Sequence, residues 1–149
     1  MFEEWAVKRF RRDVFIIKEW RGDKFVEGIY AESSTYPDLE IEFHLRDARE
    51  RFAVECKWRG QWEFGAKPFL IWANDQQIIN YQEFARTRAI PVFIVIGVGG
   101  QPDRPAEVFI VPLDKLRSGN ATEEYLGRFR RKAAVGQNFF FDPNIPALR

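Results

Sequence analysis

The sequence has few of the residues that most often mark a cross-linked, metal-clustered or membrane-inserted protein. Its 149 residues include one cysteine and one histidine. A single cysteine excludes an internal disulfide and suits a reducing compartment. One cysteine with one histidine argues against a zinc site, which usually needs several such ligands. No apolar run approaches the ~18 residues of a membrane-spanning helix, and the N-terminus lacks the apolar stretch of a signal peptide. We therefore expect a soluble, cytoplasmic protein with no membrane contact.

The charge balance is also without an excess of either sign. There are 23 Lys and Arg residues against 22 Asp and Glu residues, for a formal net charge of +1. A protein whose whole surface binds nucleic acid is usually more basic, so any such contact needs local basic patches. The 46% hydrophobic and 16% aromatic content indicates an ordered core. We expect one domain over residues 1–149, with a common core at about 2–100 and C-terminal additions at 101–149.

Two segments alternate between apolar and polar residues with the period of a strand. Residues 38–45 and 52–58 both do so, and a short polar turn between them predicts a β-hairpin. An apolar stripe predicts a helix over 2–12, and residues 14–17 read as a strand or a continuation of that helix. The further expected elements are a short strand at 24–31, a helix from 74 or 75 to 88, a buried strand at 92–98, a strand at 108–111, a short helix at 122–132 and an extended piece at 139–141. This order predicts an α/β mixed sheet flanked by helices.

The hairpin carries the residues that most favour chemistry. Asp38 begins its first strand, and Glu55 and Lys57 lie two apart on its second, so all three side chains are expected on one face. Mg²⁺ takes oxygen ligands and usually one or two protein carboxylates. Asp38 and Glu55 meet that description, and the Cys56 backbone carbonyl is a reasonable third ligand. Lys57 would orient or deprotonate a water, or neutralise charge on a phosphate. The bland alternative is a solvated strand face with a weak ion pair.

These residues resemble the motif of the PD-(D/E)XK, or restriction-endonuclease-like, nucleases. Pro37-Asp38 matches its first half and Glu55-Cys56-Lys57 its second, on strands that are predicted to be adjacent. The resemblance covers roughly residues 2–100 and implies an α-β-β-β-α-β core. It also implies a divalent-metal-dependent nuclease that hydrolyses DNA phosphodiester bonds, as an endonuclease rather than an exonuclease, with Mg²⁺ that Mn²⁺ can replace.

The resemblance extends to two further places. The segment from Gln77 to Tyr81 is similar to the Q-h-x-x-Y motif of the RecB-like branch, which implies that Gln77 assists catalysis and Tyr81 contacts DNA. Glu3, on the first helix, would add to the metal site. For Gln77 the alternative is a capping box with Asn74, and for Tyr81 it is packing in the core.

Other polar residues receive smaller roles. Arg9, Arg12 and Arg59 are candidate phosphate contacts, although charged groups like these are usually solvated. Glu40 and Glu42 are expected on a solvated polar face, with Glu40 close enough to influence the metal as the alternative. His44, on the polar side of its strand, is not expected to be a ligand.

The main functional alternative is the same fold without effective catalysis. Such a module would bind nucleic acid or a partner protein, and near-neutral charge is compatible with it. No separate recognition segment is evident in the sequence. Sequence specificity would therefore need a homodimer or a partner protein.

Overall fold

The structure, a computed structural model, describes residues 1–21 and 35–149, and the backbone of 25–26 and 29–30. The elements in chain order are α1 (Phe2–Val7), β1 (Phe15–Trp20), β2 (Phe25–Val26), β3 (Ile29–Tyr30), β4 (Leu39–Leu45), β5 (Ala48–Arg59), β6 (Glu63–Phe64), β7 (Pro68–Ile71), α2 (Asp75–Arg88), β8 (Val92–Gln101), β9 (Arg104–Pro112), β10 (Asn120–Thr122), α3 (Glu123–Leu126), β11 (Phe141–Asp142) and β12 (Ala147–Leu148). In the part of the chain that is described, no helix is long and apolar enough to cross a membrane.

A mixed five-stranded sheet forms the centre of the molecule, in the order β1-β4-β5-β8-β9. The β4–β5 hairpin is antiparallel, with Leu39 opposite Val54, which brings the residue before Leu39 level with Glu55. Strand β8 runs parallel to β5 and is reached through α2, since parallel neighbours need a crossover connection. The predicted hairpin, the α2 helix and the buried central strand are therefore confirmed.

Both faces of this sheet are covered. On one face α1 packs with the apolar side chains of β4 and β5, such as Ile41 and Val54, and with the C-terminal Phe139 and Phe141. On the other face α2 packs over β8, with Ile78 and Tyr81 among its buried residues. Because both faces are covered, Glu40 and Glu55, which alternate with the apolar residues of β4 and β5, are also buried.

The first helix is shorter than the predicted 2–12 and ends at Val7. Beyond it the chain turns tightly, with hydrogen bonds from Arg9 N–H to Ala6 O (2.9 Å) and from Phe10 N–H to Val7 O (3.1 Å). The turn lets Phe10 pack edge-on against Phe15 at the start of β1, with ring centroids 5.1 Å apart. Residues 14–17 therefore enter a strand rather than continue the helix. The predicted strand at 24–31 falls largely outside the described residues, within which β2 pairs with β3.

The predicted helix at 122–132 is also shorter, because contacts with β9 replace helical hydrogen bonds. Only α3 and one following 3-10 turn, Gly127–Phe129, are helical. Arg130 then bridges to Phe109 of β9, and Arg131 N–H donates to Val108 O at 3.0 Å. Within the segment 139–141, which is predicted to be extended, Phe141 belongs to β11 and pairs with β12, and Phe140 exchanges backbone hydrogen bonds with Arg149.

Residues 101–149, expected as additions, complete the sheet and the core. They supply β9, and Phe141 stacks on Phe52 with ring centroids 4.7 Å apart. Arg131 organises this C-terminal segment by donating to the backbone carbonyls of residues 134, 135, 137 and 138. Burial lowers the pKa of Arg131, and the nearby charge of Arg9 lowers it further.

A close backbone contact joins the segment before α2 to the loop before β10. Trp72 is fully buried, and its ring N–H donates to Ser118 O at 2.8 Å. Its backbone N–H donates to Gly119 O, also at 2.8 Å. A Cβ added at Gly119 would lie 1.9 Å from Ala73 O, so only glycine fits here. The contact fixes Trp72, whose ring stacks on Tyr81 of α2.

We predict that Gly119→Ala lowers the free energy of unfolding by about 1–3 kcal/mol, because a backbone carbonyl must move to admit the methyl group. The measurement is urea denaturation followed by circular dichroism. Gly127→Ala is the matched control, since Gly127 has helical φ and ψ and no atom within 4 Å of the added Cβ. That control should change stability by no more than about 1 kcal/mol. Equal stability of the two variants would contradict the packing at Gly119.

Candidate active site

Two buried carboxylates meet where β4 begins beside β5. Asp38 and Glu55 are 2% and 1% exposed. The Asp38 backbone N–H donates to Glu55 Oε1 at 3.1 Å, and Asp38 Oδ2 accepts from Cys56 N–H at 2.9 Å. Each acid thus bonds to the strand that carries the other. These bonds continue the β4–β5 ladder by one residue and hold both carboxylates in place.

The second oxygen of Glu55 faces α2 and Lys57. Tyr81 O–H donates to Glu55 Oε2 at 2.8 Å, and Lys57 Nζ lies 3.2 Å from the same oxygen. The Lys57 ammonium also lies 5.9 Å from the centre of the Tyr81 ring. The Trp72 ring stacks on the Tyr81 ring, with ring centroids 6.4 Å apart. Asp38, Glu55 and Lys57 are therefore brought together, as the strand periodicity predicts.

Access to this group is from the lysine side. The Lys57 side chain is 14% exposed, whereas Glu55 and Tyr81 are almost wholly buried, at 1% and 3%. A substrate anion that approaches Glu55 from solvent would therefore meet the Lys57 ammonium. The arrangement combines fixed carboxylate oxygens with a cation beside them.

The chemistry of these donors fits a hard divalent cation. Mg²⁺ usually binds to one or two carboxylates and completes its shell with water or phosphate oxygens. Because the N–H and C=O of one strand residue point to the same side, the Cys56 carbonyl lies on the Asp38 side of β5. Within the described residues no group of three or more His, Cys, Asp and Glu side chains is placed to hold a metal ion. A site built from the described residues would therefore use Asp38, Glu55 and ligands other than side chains, and the roles of Asp38, Glu55 and the Cys56 carbonyl as ligands stay predictions.

The two motif residues of α2, Gln77 and Tyr81, have different structural roles. Gln77 forms a capping box at the start of α2: its N–H donates to Asn74 Oδ1 at 2.8 Å, and its Oε1 accepts from Asn74 N–H at 3.0 Å. Its oxygen is thus used in the cap, and a catalytic contribution stays a prediction. Tyr81 is buried and faces Glu55, so in this conformation it orients the carboxylate, and its contact with DNA also stays a prediction.

The remaining predicted site residues lie away from the carboxylates or are held by the backbone. Glu3 is half-buried on α1, which packs on the opposite face of the sheet. Arg9 donates to Trp5 O and Gly136 O, and Arg12 is exposed in the turn before β1. Arg59, at the end of β5, donates to the carbonyls of Ile71 (3.1 Å) and Trp72 (3.3 Å). No contact with nucleic acid is tested for any of them.

Glu40 is not on a solvated face, which corrects the sequence expectation. It is 1% exposed because three arginines surround its carboxylate: Arg21, Arg51 and Arg88. Glu42 is half-buried and contacts His44, its neighbour on the polar side of β4. Its hydrogen bond with His44 lowers the pKa of the Glu42 carboxyl.

The sequence reasoning missed the three arginines because they are far apart in the chain. Arg21 follows β1, Arg51 lies on β5 and Arg88 ends α2. The sequence did contain one indication of these partners. Apolar and polar residues alternate along β4, which places Glu40 on the same face as Asp38. If that face is covered, Glu40 requires cationic partners, although the pattern does not say which.

The chain resembles a solved structure in its fold, but its sequence matches no family model and no curated protein. No protein-family model matches the chain, and no curated protein matches it significantly. The solved structure of Hjc, a Holliday junction resolvase from the archaeal hyperthermophile Archaeoglobus fulgidus, superposes with a TM-score of 0.57 at 16% identity. The match covers 85% of this chain and 90% of that one. The chain therefore has the restriction-endonuclease-like fold that its motif implied.

We predict that Tyr81→Phe lowers the free energy of unfolding by about 1–3 kcal/mol, because buried Glu55 loses a hydrogen-bond donor. Urea denaturation measures the change. Tyr125→Phe is the matched control, since its hydroxyl donates to Lys115 O in an exposed bond that water can replace. We expect a smaller loss there, about 0.5 kcal/mol. A loss in Tyr81→Phe no larger than in Tyr125→Phe would show that the Glu55 contact has no such role.

Proposed function

We propose that this protein is a divalent-metal-dependent nuclease that hydrolyses DNA phosphodiester bonds. The observation that carries the proposal is that two buried acids, Asp38 and Glu55, are tied to each other's strands by hydrogen bonds, with Lys57 as the group that reaches solvent. A buried acid pair is costly in a fold unless a partner or a function compensates for it. The structural likeness to a DNA resolvase supports the same reaction class.

In this proposal some residues bind the metal and others contact the substrate. A bound divalent cation would supply an activated water and polarise the scissile phosphate. Asp38, Glu55 and the Cys56 carbonyl would hold it, while Tyr81 keeps Glu55 oriented. Lys57 would donate to the attacking water or to a phosphate oxygen, where negative charge develops. The water oxygen bonds to phosphorus, one phosphorus–oxygen ester bond breaks, and the leaving alkoxide takes a proton.

The finer features of the reaction belong to this proposal. Mg²⁺ is the expected ion and Mn²⁺ a substitute, and cutting within a strand is expected rather than removal from ends. Because the similar structure is a Holliday junction resolvase, four-way junctions belong among the DNA substrates to be tested. A homodimer or a partner protein that supplies specificity, and a cytoplasmic location, stay predictions.

A second function is favoured by the small number of acids at the site. The described residues bring together two acidic side chains rather than three or more. A nuclease-fold module that binds nucleic acid or a partner protein without effective cleavage would require no more. The cleavage assay below separates the two functions.

We predict that Lys57→Ala lowers the rate of DNA cleavage by about 10²–10³-fold, because the cation beside the scissile phosphate is lost. The assay uses circular plasmid, linear duplex, single-stranded and four-way-junction DNA with Mg²⁺, Mn²⁺ or EDTA. EDTA should abolish cleavage. Nicking of the circular plasmid distinguishes an endonuclease, since a circle has no ends.

Lys67→Ala is the matched control for this variant. Lys67 is exposed and pairs with Glu124 on the β6–β7 side of the molecule, so the charge change is equal but remote from the carboxylates. Its cleavage rate should stay within a few-fold of the wild type. Full activity in a folded Lys57→Ala protein would indicate a contaminating nuclease. No cleavage by the wild type with any DNA or metal would favour the non-catalytic module.

A further inference from the structure

The cluster around Glu40 is a second charged group on the face of the sheet that carries Asp38. Arg21 Nη2 contacts Glu40 Oε2, while Arg88 Nη1 and Arg51 Nη2 lie 3.1 and 3.6 Å from Oε1. We call these four residues the Glu40 cluster. Three guanidinium groups face one carboxylate, so the cluster has an excess of two positive charges. Exposed Glu19, the cross-strand neighbour of Glu40, reduces this excess to one. Glu42, the cross-strand neighbour of Arg51, is offset by Lys18. Besides the hydrogen bond with His44, the charges of both Lys18 and Arg51 lower the pKa of the Glu42 carboxyl.

Neutralising Glu40 does not require all three arginines. Arg21 is the enclosed partner, with 12% of its side chain exposed. Arg51 and Arg88 are 40% and 42% exposed, and both approach the other carboxylate oxygen. Two guanidinium groups therefore face solvent with donors beyond those that Glu40 accepts.

The cluster is fixed rigidly to the candidate active site. Arg21 Nη1 donates to Pro37 O and Arg21 N–H to Asp38 O, each at 2.7 Å. Two guanidinium groups lie over the Tyr36 ring, that of Arg21 at 5.1 Å and that of Arg88 at 5.6 Å from the ring centre. The side chain of Arg88 is further held over Phe84 at 5.0 Å. The arginine forks are thus oriented before any ligand arrives, which reduces the entropy lost on binding.

The spacing from the carboxylates suits a neighbouring phosphate. Glu40 lies two residues from Asp38 along β4, about 7 Å at ~3.3 Å per residue. Arg51 lies four residues from Glu55 along β5, about 13 Å by the same rise. Each strand of duplex DNA carries one phosphate per ~3.4 Å of axis, so these separations correspond to a few nucleotides.

We propose that Arg51 and Arg88, held by Glu40, each bind a backbone phosphate about two to four nucleotides from the one that is cut at Asp38 and Glu55. The ligand class is a nucleic-acid phosphodiester, which planar guanidinium forks bind through paired hydrogen bonds. The inference deepens the proposed nuclease function by giving the path of the DNA strand. Its own evidence is the net charge and exposure of the Glu40 cluster.

The test is DNA binding without catalysis, measured by fluorescence anisotropy of labelled duplex and junction DNA in EDTA at several salt concentrations. In Arg51→Gln/Arg88→Gln, the slope of log K against log salt should fall in magnitude by about two, because each lost phosphate contact removes about one unit. The loss should be equal for unrelated DNA sequences. The matched control is Arg11→Gln/Arg86→Gln, whose arginines are exposed and pair with Asp13 and Glu83.

Single changes at Arg88 keep the test decisive if the double variant does not fold. Arg88→Lys retains the charge and should keep most of the salt slope, whereas Arg88→Gln should lose about one unit. An unchanged slope in the Gln variants, or an equal fall in the control, would overturn the phosphate site, as would absence of DNA binding by the wild type.

Cleavage is scored separately, so the two proposals can fail independently. A wild type that shows the slope change but cuts no DNA would leave the phosphate site standing and reject the nuclease. If the wild type cuts DNA but the Gln variants keep the wild-type salt slope, the nuclease proposal stands and the phosphate site is rejected.

Discussion

The hydrogen bonds that Asp38 exchanges with β5 hold the candidate site in a single register. Its backbone N–H bonds to the Glu55 side chain, and its carboxylate bonds to the N–H of Cys56. A slip of one residue between β4 and β5 would break both bonds and turn Glu55 and Lys57 to the opposite face of the sheet. The position of Tyr81 also depends on this register, because its hydroxyl reaches Glu55 only when that side chain faces α2.

Burial of acids on a covered sheet face is what makes this region unusual. Asp38, Glu40 and Glu55 are all at most 2% exposed, and a buried carboxylate is stable only with close partners. The two groups solve this differently. Among the described residues Glu55 contacts Lys57, Tyr81 and the Asp38 N–H, whereas three arginines surround Glu40 and leave an excess of positive charge. The proposed metal site and the proposed phosphate site are therefore neighbours on one face of the sheet.

Local patterns predicted the elements that place the site and failed where distant contacts competed. Alternation gave β4 and β5, and Asn74 with Pro91 bounded α2, because strand period, capping and proline act over a few residues. The first helix ended early because Phe10 packs on Phe15, and the 122–132 helix shortened because Arg131 bonds to β9. The expectation that Glu40 is solvated is wrong, because period two gives the face on which a side chain lies but not whether that face is covered.

The sequence alone determined that Asp38, Glu55 and Lys57 share a face, because side chains on a strand alternate with a fixed period. It also indicated, through the resemblance of its motif, the fold that structural comparison confirms. Only the tertiary structure decided which partners these acids have. Tyr81 reaches Glu55 from α2, and arginines from β5, from α2 and from the residue after β1 converge on Glu40. Such meetings depend on how the helix and the strands pack, which local periodicity does not specify.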